Sequence, residues 1–323
     1  MSNVTRFISY TTEGNISTEE KALLAWCSVV LVLSLTGNSY VLYSTISHRA
    51  IKLDKMSVWI IQNLAVTDIA NSVLVMIPIT VTIANGYQWK LGRGLCVAVA
   101  QYHLVLLLAN GFYLNALSLN KLVRCSFPLR MMNSTQKHRL CVTFCVVILS
   151  FIPSFWTVYG VRSKIFEVSK YFLHLNGICN IAFNETGAKT PPWVMIITYI
   201  VYILFTAGPV ICLIITNVAL LVLTTRKTNT TINKANVLIV VATTSAFVVC
   251  VLPRGVDYLS PVYLGRLFDG FAWYILFFMS WINPFIYLAT NQHYRDFTVR
   301  NLMKISSSFR STKRSDVLFL SAH

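Results

Sequence analysis

Seven stretches of this chain carry almost no charge, and each is long enough to cross a bilayer. Uncharged runs lie between Lys21 and Arg49, Arg93 and Lys121, Arg139 and Arg162, Lys189 and Arg226, Lys234 and Arg254, and Asp269 and Arg295. The interval from Lys55 to Lys90 holds one charge, Asp68. A membrane helix needs about 20 apolar residues. Only 12% of the residues are charged and 55% are hydrophobic, whereas a soluble domain carries roughly twice that charged fraction. Hiding all seven runs in one soluble core is excluded. The pattern predicts an all-α fold, a seven-transmembrane-helix bundle with helices near 22–47, 57–83, 95–122, 140–161, 193–225, 235–259 and 267–289.

The net charge of +16 does not point to nucleic acid, because the basic residues gather on one side of the spans and are fewer on the other. Arg49, Lys52 and Lys55 follow the first span. Lys121, Arg124, Arg130, Lys137 and Arg139 separate the third and fourth, and Arg226, Lys227 and Lys234 the fifth and sixth. Arg295, Arg300, Lys304, Arg310, Lys313 and Arg314 lie beyond the seventh. If the helices alternate, all of these share one side, and Glu13, Glu19, Glu20, Glu167 and Glu185 share the other. The positive-inside rule then puts the N-terminus outside and the C-terminus in the cytosol.

This orientation sorts the remaining features. Residues 1–20 are polar, so no cleavable leader is expected and the first apolar run serves as an anchor. Asn3, Asn15 and Asn184 head glycosylation sequons on the outer side, while Asn133 and Asn229 match the pattern on the inner side and are expected bare. Of eight cysteines, five lie inside spans and Cys125 faces the cytosol. Cys96 and Cys179 alone meet the oxidising side, so a disulfide between them is expected. Past the seventh span, Tyr294, Phe297, Val299, Leu302, Met303 and Ile305 interleave with Arg295, Arg300 and Lys304, the spacing of a short amphipathic eighth helix on the inner leaflet. The chain therefore divides into an outer tail (1–21), one transmembrane domain (22–290) and an amphipathic helix with a cytoplasmic tail (291–323).

Within the spans, polar landmarks recur in a fixed order. They are Gly37-Asn38 in the first span and Asn63-Leu64-Ala65 with Asp68 in the second. Trp89-Lys90-Leu91-Gly92 precedes Cys96, and Pro153, Pro209 and Pro253 fall in the fourth, fifth and sixth spans, with Phe247 and Cys250 just before the last. Asn283-Pro284-Phe285-Ile286-Tyr287 ends the seventh. In this order the chain resembles the rhodopsin-like (class A) G-protein-coupled receptors from the first span to the surface helix.

Asp68 is the only acid buried in mid-span, and an unpaired charge there costs about 2.5–3.5 kcal/mol even on a mild insertion scale. Asn38, Asn110, Ser280 and Asn283 stand at comparable depth as partners. The resemblance implies a pocket able to hold a sodium ion, with Asp68 as its charge and Asn110, Ser280 and Asn283 around it. A neutral Asp68 that only ties helices together is the plainer alternative. No other cofactor is expected.

The resemblance implies an activation switch built from Asn120, Lys121, Leu122, Phe247, Pro253, Asn283, Pro284 and Tyr287. Asn120-Lys121-Leu122 stand where the family usually has an acid, an arginine and an aromatic, and lysine lacks arginine's planar fork. Val251 replaces a common tryptophan and Asn217 a common tyrosine, so the switch is atypical. The implied ligand cavity would be lined by Tyr102, His103, Leu106, Leu107, Arg254, Tyr258, Trp273 and Phe277. His103 lies where amine receptors carry an aspartate, which disfavours a biogenic amine. The lack of a lysine between Asp269 and Arg295 disfavours retinal. Arg254 can pair with an anionic ligand or with Asp257 one turn on.

The expectation is a plasma-membrane receptor, not an enzyme, that passes the binding of a non-amine small molecule or peptide to a heterotrimeric G protein, with arrestin as a further partner. An uncoupled or scavenger receptor of the same fold is the first alternative. A seven-helix transporter is the second, and it would show internal repeats or several buried charges.

Overall fold

The computed structural model describes residues 18–47, 53–86, 89–127, 136–162, 166–169, 180–183, 192–226, 234–259, 266–304 and 307. The first span is Thr18–Ser47, the third Gly92–Ser126 and the fourth Gln136–Arg162. The sixth is Lys234–Leu259 and the seventh Arg266–Thr290. Two spans are composite. The second runs from Lys55–Asn71 through a π-helical turn, Ser72–Met76, into Ile77–Ala84. The fifth runs from Pro192–Tyr202 through a second such turn, Ile203–Ala207, into Gly208–Arg226. Among the described residues six helices are long and apolar enough to cross a membrane, and Tyr274–Thr290 adds a shorter apolar helix.

Each π turn ends two residues before a proline, Pro78 in the second span and Pro209 in the fifth. A proline has no N–H, and its ring strikes the carbonyl one turn back. Widening the turn by one residue moves that carbonyl aside and keeps the helix running. Sequence alone placed single helices here. The prolines were visible, but the way the backbone accommodates them was not.

The third span packs against the second, fourth, fifth and sixth, and the first against the second and seventh. The core follows the inward faces, with Ile60, Leu64, Val75, Leu114, Leu117, Leu213 and Val240 almost fully buried. Val29, Phe144, Phe155, Ile215 and Val249 are exposed on the outside, as expected where lipid is the neighbour. Outside the bundle, Phe166–Ser169 pairs antiparallel with Asn180–Phe183, a short hairpin that the sequence reading left out.

Asn291 breaks the seventh helix and caps the next, its Oδ1 accepting the Tyr294 N–H at 3.0 Å. Residues 292–304 are helical, in agreement with the expected surface helix. Tyr294 and Phe297 meet Tyr40 of the first span at ring separations of 5.9 and 6.3 Å. Val299, Leu302 and Met303 face outward.

Candidate functional site

At the centre of the bundle, Asp68 is fully buried. Its Oδ1 accepts the Asn110 amide and its Oδ2 the Asn283 amide, each at 3.0 Å. Ser280 stands beside this carboxyl, and its Oγ accepts from Asn71 at 2.9 Å. One acid thus joins the second, third and seventh spans through the partners expected from sequence. Asn38, the fourth residue at that depth, does not reach the carboxylate.

Asn38 serves a different need. Pro284 supplies no N–H to the carbonyl of Ser280 one turn earlier. Asn38 donates to that carbonyl at 2.7 Å and Ser34 at 3.1 Å. The first span can come this close because Gly37 faces the proline ring: a Cβ on Gly37 would sit 2.9 Å from Pro284 Cγ. Ser34 is bonded in turn by Ser72 at 2.7 Å. Beyond the kink, Tyr287 is buried, packs edge-on against Tyr294 and has no hydrogen-bond partner for its hydroxyl among the described residues.

Phe247 of the sixth span is buried and fills the space left by Gly111, where a Cβ would meet its ring at 3.1 Å. One turn inward a polar cluster links three spans. Thr244 donates to Asn217 Oδ1 at 2.7 Å, and Ser118 donates to Thr216 at 3.0 Å and to the same Asn217 oxygen at 3.5 Å. Asn217 therefore works as a polar tie where the sequence suggested a missing tyrosine. Pro253 lies inside the sixth helix as expected.

Nearer the Cys96 end of the bundle, His103 and Phe277 bring the third and seventh spans together with ring centroids 6.0 Å apart. Arg254 lies within electrostatic reach of both His103 and Tyr202, and the Tyr202 hydroxyl is 3.4 Å from where a Cβ on Gly255 would stand. Tyr202 was missed in the sequence, where one tyrosine among several in an apolar run carries no signal. Leu106 and Leu107 are half-buried, while Tyr102 is exposed. The side chains of Tyr258 and Trp273 lie outside the described residues, as do Cys179, Asn3, Asn15 and Asn184. Cys96 is buried and disulfide-bonded.

At the inner end, Asn120 donates to Asp54 Oδ1 at 3.2 Å and to Ser57 Oγ at 3.1 Å. Arg124 pairs with Asp54 at 3.4 Å and donates to Asn120 Oδ1 at 3.3 Å. Burial disfavours the ionised Asp54, but the Ser57 N–H and hydroxyl, Arg124 and Asn120 outweigh it and hold the carboxyl below its ordinary range. Lys121 is 9% exposed and Leu122 half-buried. Lys121 therefore points into the bundle and does not reach for headgroups.

This arrangement has counterparts among known proteins. A region of 128 residues is 31% identical to "G-protein coupled receptor 54" of Oreochromis niloticus, covering 39% of this chain and 33% of that protein. The chain thus spans about a third of the length of the curated relative it matches. Residues 37–287 match the model of the 7 transmembrane receptor (rhodopsin family), a family of multi-pass membrane receptors rather than enzymes. That interval runs from the glycine that meets Pro284 to the tyrosine beyond the kink, and over it this chain belongs to the rhodopsin family of seven-transmembrane receptors.

Proposed function

We propose that this chain sits in the plasma membrane with its N-terminus outside and passes the binding of an extracellular ligand to a heterotrimeric G protein. The observation that carries the reading is the Asp68 junction, where amides from the third and seventh spans meet one buried carboxyl. A shift of either span at its outer end must rearrange that junction, and so couples to the inner ends. The transmembrane domain is residues 22–290, flanked by an outer tail and by the amphipathic helix and cytoplasmic tail. A bridge from Cys96 to Cys179 and glycans at Asn3, Asn15 and Asn184 complete the outer face. Arrestin is a second cytosolic partner.

The ligand is a small molecule or peptide without a biogenic-amine headgroup. His103 takes the place where such a headgroup needs an acid, and Arg254 near His103 and Tyr202 favours an anionic group. The central site also suits sodium. Asn110 Oδ1 is a buried acceptor without a partner among the described residues, and with Asp68, Ser280 and Asn283 it would supply the oxygen ligands that a hard cation takes. The ion would neutralise the buried carboxylate. The atypical switch at Asn120-Lys121-Leu122 raises or redirects basal coupling.

The test is cyclic AMP and calcium output without added ligand, at matched surface level, in wild type, Asp68→Asn and Lys121→Ala. A basal signal lost in Lys121→Ala is the expected result, and a signal indifferent to that substitution would overturn the role given to Lys121. The burial of Lys121 favours a second reading, an uncoupled receptor of the same fold. Failure of purified G protein to bind the chain would support it.

A further inference from the structure

The third span has no acid at its inner end, yet that end is held by one. We infer that Asp54, at the start of the second span, is a transplanted latch that restrains the inner end of the third span in place of the missing carboxylate at Asn120. Both Asp54 oxygens are engaged. Oδ1 takes the Ser57 N–H at 3.0 Å, the Asn120 amide at 3.2 Å and the Arg124 guanidinium at 3.4 Å. Oδ2 takes the Ser57 hydroxyl at 2.8 Å. Two positions one helical turn apart on the third span, Asn120 and Arg124, therefore converge on one carboxylate from another helix, and Arg124 also bonds Asn120.

The pair is sheltered. The side chains of Arg124 and Asp54 are 22% and 17% exposed, so screening by salt is weaker than for a surface ion pair. Next to it, Trp59 donates to Thr143 of the fourth span at 3.0 Å and lies beneath Arg139. The second span is thus tied to the fourth close to Asp54.

The plain alternative is that Asp54 only caps its own helix. Asparagine separates the two, because it is as good a cap as aspartate yet carries no charge for Arg124. If capping is the whole role, Asp54→Asn is silent.

The experiment uses the full chain in lipid nanodiscs, with hydrogen exchange read on peptides covering residues 119–126. Variants are Asp54→Asn, Arg124→Gln and the swap Asp54→Asn/Asn120→Asp, which returns a carboxylate to the third span. Exchange should rise about three- to tenfold in each single variant, the range for losing a sheltered ion pair with charge-assisted hydrogen bonds, and should return towards wild type in the swap. Unchanged exchange in Asp54→Asn overturns the latch, and so does a swap that fails to restore it. Basal messenger output is recorded in parallel, an arm that rests on the proposed G-protein coupling. Exchange that behaves as expected while no variant alters output supports the latch and counts against coupling.

Discussion

Gly37 and Asn38 act on the same obstacle from two directions, the proline of the seventh span. A methyl group on Gly37 would have to displace the Pro284 ring, so Gly37→Ala should lower stability by about 1–3 kcal/mol, the usual cost of overpacking, read as thermal unfolding in detergent. Asn38→Ala leaves the Ser280 carbonyl with Ser34 alone and should cost about 1 kcal/mol. Asp54 gives a pH prediction. Its carboxyl is held below the ordinary range, so its contribution is complete above the unfolded value of about 4 and is lost as pH falls through the lowered folded value. Unfolding temperature should therefore show an acid-side decline in wild type that is smaller in Asp54→Asn, with no difference in slope between pH 6 and 8. The depth of Asn38 was readable from its place in an uncharged run. Its partner was not, because a backbone acceptor freed by a proline in another helix leaves no mark on the sequence. Asp54 stands between Lys52 and Lys55 and drew no assignment from the sequence. The one available hint was its position three residues before Ser57 at the start of an apolar run, the spacing of a helix cap.

Among the elements, the helices themselves were legible because charge is intolerable in lipid and its absence marks each span. The π turns were not, since a proline announces a defect without saying how the backbone resolves it. The four-residue strands of the hairpin are too short for alternation to stand out. At the seventh span the proline defect is met by side chains of the first span. Pro284→Ala would restore an N–H to the helix, which would compete with Asn38 for the Ser280 carbonyl. In a double-mutant cycle, Asn38→Ala should then cost less in the Pro284→Ala background than in wild type. Equal costs in both backgrounds would mean that the first span does not read the kink.

For the whole molecule, the Asp68 junction ties the second, third and seventh spans into one cooperative unit. If sodium binds there, unfolding temperature should rise when potassium is replaced by sodium at constant ionic strength. Asp68→Asn should abolish that rise, and a rise that survives the substitution would place the ion elsewhere. The family was legible from landmarks spread along the chain, whereas the ties between landmarks needed three dimensions. One such tie also bears on biosynthesis. Asn38 and Ser280 are 242 residues apart, which at a translation rate of about 5–20 residues per second leaves the first span in the membrane for roughly 10–50 s before its acceptor exists. Until then the Asn38 amide has no native acceptor across the bundle. When the seventh span arrives, its Ser280 carbonyl, left open by Pro284, is met by the oldest helix of the chain. The ring of helices closes only when the seventh span is in place, and until then the Asn38 amide has the Ser34 carbonyl of its own helix, at 2.9 Å, as its acceptor.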